Sequence, residues 1–307
     1  MQWFRRPILT IAERSQVERF TRSNHLIKRH LVDRFVAGES LTEALPKVIE
    51  LHERGITATL DQLGENVATP EEAAAAVAAF QHSMRELKSH QLEPNISVKL
   101  TMLGLDLSDE AAMVNTRAIL ETAREVGGFV RVDMEGSAYV ERTMELFARL
   151  HDEFPEQVGI VIQAYLYRAR ADIEEMIARK ARVRLVKGAY AEPSSISYPS
   201  STEVDDNYLR LMYLLLEHGT YPAIATHDMK LIHAAREFAT DNAIPPDRYE
   251  FQMLFGVRRD AQTSLVADGY RMRVYVPFGT EWYPYFTRRI AERPANALFV
   301  LRQFADR

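Results

Sequence analysis

The chain has 307 residues, 38 Lys+Arg against 43 Asp+Glu, a net charge of -5 and no cysteine. Hydrophobic residues at 47% and charged residues at 26% exclude wholesale disorder and collagen-like repeats. Zero cysteine excludes disulfides, thiolate catalysis and iron–sulfur clusters, and the slight acidity argues against a nucleic-acid partner. At about 100–200 residues per domain, two ordinary domains or one large α/β barrel would fit.

Residues 1–54 read as an N-terminal helical segment, with Val17, Phe20, Leu26, Ile27, Leu31 and Phe35 at helical spacing. Arg5-Arg6 before Pro7–Ala12 imitates the start of a signal peptide. The apolar run is too short, however, and Glu13-Arg14 interrupts it. No stretch approaches the ~20 apolar residues of a bilayer span, so a soluble or at most peripheral protein is expected. Trp3, Phe4, Ile8, Leu9 and Ile11 beside Arg5 and Arg6 suit either an anionic membrane surface or packing on the barrel or another subunit. Ser40-Leu41-Thr42-Glu43 is a capping box. The helix it starts would bury Leu41, Leu45, Val48 and Leu51 and end at Gly55.

From residue 55 the pattern changes to short β-type runs: Ile56–Leu60, Ile96–Leu100, Phe129–Val132, Gly159–Ile162, Val183–Val186, Pro222–Thr226, Tyr249–Leu254 and Arg273–Val276. They recur every ~31 residues on average, the size of a strand plus a crossover helix. Thr69-Pro70-Glu71-Glu72 opens a helix with a cap, a first-turn proline and a capping acid. Ser108 caps another, and helices are expected over 138–152, 168–180, 203–217 and 229–239. Continuous apolar strands mark burial on both faces. The fold class is therefore α/β, a (βα)8 TIM-type barrel over residues 55–307 forming one catalytic domain. An open doubly wound sheet is the competitor, although no glycine-rich nucleotide loop follows any strand.

In a barrel, function sits at the C-terminal strand ends. Reading those ends gives Asp61, Gln62 and Glu65, then Lys99, then Asp133-Met134-Glu135, then Gln163. Arg184 with Lys187-Gly188-Ala189-Tyr190 follows, then Thr226-His227-Asp228, then Gln252 and Leu254, then Tyr275. One such residue is ordinary rim structure, but burying a whole ring of them costs free energy unless they pair or bind something. After the eighth strand, Tyr285, Arg288, Arg289 and Glu292 share one face of a short helix bounded by Pro284 and Pro294. Trp282, Phe286 and Ile290 line an adjacent apolar stripe facing the barrel top. Paired arginines suit an anionic carboxylate or phosphate, or else form a solvated face with an Arg–Glu pair. No His or acid cluster has metal-ligand spacing, so no metal is expected.

Taken in order, Ser97-Val98-Lys99-Leu100, Arg131-Val132-Asp133-Met134-Glu135, Arg184 through Tyr190, Ala225-Thr226-His227-Asp228, Glu250 through Leu254 and Tyr285-x-x-Arg288-Arg289-x-x-Glu292 carry a resemblance. The chain resembles bacterial monofunctional proline dehydrogenases, flavoenzymes related to the proline dehydrogenase domain of bifunctional proline-utilisation proteins. The resemblance covers about residues 60–296.

It implies a distorted barrel holding FAD, with the last helix over the barrel mouth. It also implies oxidation of L-proline to Δ1-pyrroline-5-carboxylate by hydride transfer from C5 to flavin N5, the electrons passing to a membrane quinone. By the same resemblance, Lys99, Arg288 and Arg289 hold the proline carboxylate. Tyr190, Tyr275, Tyr285 and Leu254 surround the ring, while Asp133 and Arg184 sit at the reaction centre. Met134, Gln163, Val186, Lys187, Gly188, Ala189, Thr226, His227 and Glu292 belong to the flavin environment. Further implied are a cytoplasmic enzyme, peripheral at the inner membrane face when it meets quinone, a separate pyrroline-5-carboxylate dehydrogenase as partner, and a homo-oligomer. Ala191 follows Tyr190 where bifunctional relatives carry tryptophan, so packing at the adenine end must differ. Tyr275 stands where relatives acting on hydroxyproline look smaller, which implies a preference for proline.

Two other readings of the same rim stay open. Lys99 or Lys187 would form a Schiff base with a keto acid held by the arginines, or the barrel would bind an amino acid without turning it over.

Overall fold

Eight parallel strands close on themselves in sequence order in the computed structural model. The structure describes Arg19 and residues 32–291, less the side chains of 288–291. The expectations for Trp3 through Ile11, and for the Arg288, Arg289, Ile290 and Glu292 side chains, thus lie outside the described residues. The strands are β1 (Thr57–Gln62), β2 (Asn95–Val98), β3 (Phe129–Val132), β4 (Val158–Gln163), β5 (Arg182–Val186), β6 (Ala223–Ala225), β7 (Glu250–Leu254) and β8 (Met272–Phe278). Closure comes from β1 against β8, with Thr57 opposite Arg273 and Gln62 opposite Phe278. The open doubly wound alternative is excluded by that pairing.

Helix α1 (Leu41–Glu53) precedes β1, and between the strands run α2 (Pro70–Ser89), α3 (Asp109–Val126), α4 (Ser137–Glu153), α5 (Ala169–Ala178), α6 (Ser201–His218), α7 (Met229–Asp241) and α8 (Arg259–Ala267). Helix α9 (Trp282–Ala291) follows β8. Their starts obey local chemistry. The Thr69 side chain caps Glu72 N while the Glu72 carboxylate reaches back, and Ser108 Oγ accepts from Ala111 N at 3.0 Å. At α1 only half of the expected box forms. Ser40 Oγ accepts from Glu43 N at 3.3 Å, but the Glu43 carboxylate accepts from the Glu39 amide instead, at 3.0 Å. Helix α8 has no sequence signal of this kind: Arg258 precedes it in the left-handed region (φ 53) with no side-chain cap.

The barrel strands are buried nearly throughout, and all six positions of β4 are inaccessible, as expected for strands covered by helices on one side and packed inward on the other. Gly159 has a steric role there. A β-carbon at that position would lie 2.5 Å from Arg131 Nη1 and 2.6 Å from Arg182 O. Its absence lets the Arg131 guanidinium donate to Arg182 O at 2.6 Å. A second apolar cluster seats α9 on the chain: Trp282, Tyr283, Tyr285 and Phe286 are buried with Val32, Phe35, Val36, Leu63 and Val257. The expected apolar stripe therefore does face inward at Trp282 and Phe286.

Candidate active site

Arg184, in the middle of β5, crosses the barrel interior and gathers residues from four other strands. Its Nη1 donates to Asp133 Oδ1 at 2.8 Å and to Ser97 Oγ at 3.0 Å. Its Nε donates to Gln252 Oε1 at 2.6 Å, and the guanidinium lies 5.1 Å from the Tyr275 ring centroid. Side chains many tens of positions from Arg184 in the chain meet it here because parallel strands in register bring their C-terminal halves to one rim.

Asp133, just past β3, has both oxygens engaged, since Tyr275 Oη donates to Oδ2 at 2.7 Å. Burial first, and then the Asp133 and Asp61 carboxylates, push the Tyr275 phenol well above its ordinary pKa. It is therefore a neutral donor across the working range.

Lys99, one residue beyond β2, pairs with Asp61 at 3.0 Å. Burial alone would lower the pKa of the ammonium. The Asp61 and Asp133 carboxylates outweigh it and raise the Lys99 pKa above its ordinary value. A Schiff-base lysine needs the opposite shift, so the keto-acid reading loses its best nucleophile. Lys187 is flanked by Asp205 at 2.5 Å and Asp228 at 3.3 Å.

The expected cofactor residues other than Glu292 stand at the ends of β3 to β6. Gln163 Nε2 donates to the Met134 and Glu135 carbonyls, each at 3.4 Å, and Gln163 pairs with Val186 across the β4–β5 ladder. Gly188 has φ +114, and a β-carbon there would run into the Tyr165 ring. Ala189 is exposed and Tyr190 half-buried. His227 Nε2 accepts from Leu254 N at 2.9 Å, so that nitrogen carries no proton. Thr226 Oγ1 accepts from Asp228 N at 3.1 Å. Leu254 packs against the apolar cluster that contains Tyr285. Among the described residues no group of His, Cys, Asp and Glu would hold a metal ion.

Two buried polar atoms of these residues have no hydrogen-bond partner among the described residues: Arg184 Nη2, a donor, and Gln163 Oε1, an acceptor. Such atoms are costly unless a ligand satisfies them. One donor and one acceptor suit a planar ring system edged with both kinds of group, as a flavin is.

Asp61, Ser97 and Gln252 complete the contacts. Asp61 and Gln252 are legible as polar residues near strand ends, and Ser97 only as part of a motif. Nothing in the sequence marks them as partners of Lys99 and Arg184.

Comparison with known proteins accords with this geometry. The proline dehydrogenase family model matches residues 44–302. Proline dehydrogenase 1 of Bacillus subtilis (strain 168) is 44% identical over 269 residues, covering 88% of this chain and 89% of that protein. The proline dehydrogenase of Deinococcus radiodurans is 41% identical over 305 residues, covering 98% and 97%. A crystal structure of proline utilization A from Bdellovibrio bacteriovorus, inactivated by N-propargylglycine, matches with a TM-score of 0.80 at 30% identity. That match covers 89% of this chain and 34% of the larger protein, so the chain spans about a third of it. By the extent of the family match and the identity to these relatives, the chain belongs to the proline dehydrogenase family.

Proposed function

We propose that this proline dehydrogenase binds FAD at the C-terminal mouth of the barrel, oxidises L-proline to Δ1-pyrroline-5-carboxylate and passes the electrons to a membrane quinone. The observation that carries the reading is the buried Arg184 Nη2, a cationic donor without a partner among the described residues, fixed beside Asp133 and Tyr275. Gln163, Lys187, Gly188, Thr226 and His227 would hold the cofactor, with Met134, Val186, Ala189 and Glu292 in its surroundings. When bound, the flavin supplies the acceptor for the hydride that leaves C5 of proline.

The chain's own task is alignment, which can remove much of a barrier without a strong base. Lys99 keeps its charge and, with Arg288 and Arg289, suits the substrate carboxylate. Tyr275 stands as a rigid wall because its hydroxyl is tied to Asp133. The Asp133 carboxyl, fixed by Arg184 and Tyr275, would face the substrate nitrogen, where positive charge develops as the imine forms. Arg184 brings a cation toward the cofactor, which favours its reduced, anionic form. Tyr190, Leu254 and Tyr285 complete the apolar enclosure.

The test is the visible spectrum of the purified protein before and after L-proline. Flavin bands that bleach on addition are the expected result, and absent bands or no bleaching would overturn the reading. Denaturation should release FAD and not FMN. N-propargylglycine, the inactivator of the Bdellovibrio relative, should inactivate this chain in proportion to its flavin content.

A further inference from the structure

A chain of buried side chains runs from the N-terminal end of the barrel to Arg184. Arg273, near the start of β8, donates from Nε to Glu250 Oε1 at 2.9 Å and Oε2 at 3.1 Å. Its Nη1 reaches Ala58 O at 3.0 Å, and its Nη2 reaches both Glu93 oxygens at 3.0 Å. Tyr221 Oη also donates to Glu250, at 3.2 Å. Gln252 Nε2 then donates to Glu250 Oε1 at 2.5 Å, and Gln252 Oε1 accepts from Arg184 Nε at 2.6 Å.

We propose that Glu250 and Gln252 are positioning residues that aim Arg184, Glu250 by fixing which way round the Gln252 amide sits. An amide has a donor end and an acceptor end. An ionised carboxylate only accepts, so the NH2 of Gln252 must face Glu250 and its oxygen must face Arg184. A flipped amide would set two donors against each other at Arg184 Nε and two acceptors against each other at Glu250. With Nε held by Gln252 and Nη1 by Ser97 and Asp133, the guanidinium plane is fixed at two of its nitrogens. Nη2 is then directed by elimination toward the remaining space. Burial works against ionisation of Glu250, but the Arg273 guanidinium and its two hydrogen bonds outweigh it and hold the pKa below its ordinary value. The carboxylate therefore stays acceptor-only.

The inference rests on the reading that Arg184 faces the flavin, and three variants of the flavin-loaded enzyme separate the two. Sulfite adds to oxidised flavin, so its dissociation constant reports the positive charge the protein holds around the ring. Glu250→Gln is isosteric, but an amide there can donate as well as accept and so permits the Gln252 amide to flip. Gln252→Met removes the acceptor while leaving Glu250 and Arg273 paired, and it keeps the test valid if Glu250→Gln fails to fold. Both variants should weaken sulfite binding and lower kcat about tenfold, the loss of one charge-assisted hydrogen bond, with KM for proline within about twofold. A merely structural role would lower the melting temperature or flavin content but leave sulfite affinity and kcat per bound flavin at parent values, and that result would overturn the proposal. Arg184→Lys is the control. If it shifts sulfite affinity and kcat while the other two do not, only the positioning role fails. If Arg184→Lys also leaves both unchanged, the reading of the site fails with it.

Discussion

Tyr275 donates to the one carboxylate oxygen of Asp133 that Arg184 leaves open, Oδ2 at 2.7 Å, while Arg184 Nη1 takes Oδ1 at 2.8 Å. The carboxylate thus fixes an aromatic wall and a cation at once. Asp133→Asn keeps the volume but turns one acceptor into a donor facing Tyr275 or Arg184. Its kcat/KM for proline should fall about 10–100-fold, the cost of leaving a buried donor unsatisfied. Tyr275→Phe removes a single bond and should cost about 2–10-fold. Steady-state rates with an artificial electron acceptor check the order, and a larger loss in Tyr275→Phe than in Asp133→Asn would contradict it.

The same tether bears on substrate choice. Tyr275 is half-buried, packed against the Arg184 guanidinium and held at its hydroxyl, so it cannot swing aside for a larger ring substituent. The kcat/KM for trans-4-hydroxyproline should be about 10–100-fold below that for proline. Equal activity on the two substrates would refute the preference.

Lys99 and Asp61 form a buried pair at 3.0 Å. Removing one partner of such a pair strands a charge, at a cost of about 3–5 kcal/mol. Lys99→Met should therefore lower unfolding free energy by about that amount, whereas Lys99→Met with Asp61→Leu should recover most of it. Denaturant melts of both proteins, compared by a double-mutant cycle, measure the difference.

Gly188 has φ +114 and no room for a side chain beside the Tyr165 ring. Gly188→Ala should destabilise the loop by about 1–3 kcal/mol and lower the flavin bound per chain after purification. Unchanged flavin content would remove this glycine from the cofactor site.

His151, on α4, is buried against Phe147, with ring centroids 5.5 Å apart. Burial, and then the Arg179 charge, lower its pKa. The unfolded chain takes up a proton near the ordinary value of about 6.5, where the folded chain does not. The stability this gives is full above about pH 6.5 and is lost as pH falls from there through the folded pKa. His151→Gln removes the titration, so its melting temperature should fall less than the parent's between about pH 7.5 and pH 5.5. Parallel pH dependences would show that His151 does not titrate differently in the two states.

The eight strands were legible because each is a short apolar run at a regular interval, and that regularity is a local property. Helices α2 and α3 were legible because Thr69 and Ser108 announce them with capping side chains. Helix α8 was not, because its first turn follows a left-handed Arg258 with no capping side chain and it is held by packing of Ala261, Gln262 and Leu265. The Glu43 side chain was expected to bond Ser40 N and bonds Glu39 N instead, since the backbone bend at Gly38 (φ +137) precedes the helix and presents that amide first.

By itself the sequence determined the α/β class, the eight-unit period and the types of residue available at each strand end, because all of these depend on neighbours within a few positions. The tertiary structure decided who pairs with whom. Asp61 with Lys99, Asp133 with Arg184 and Tyr275, and Gln252 with Arg184 are contacts between side chains 38 to 142 positions apart. Their pairing follows from the register at which the barrel closes, and a charge inside a barrel is tolerable only where that register supplies its partner.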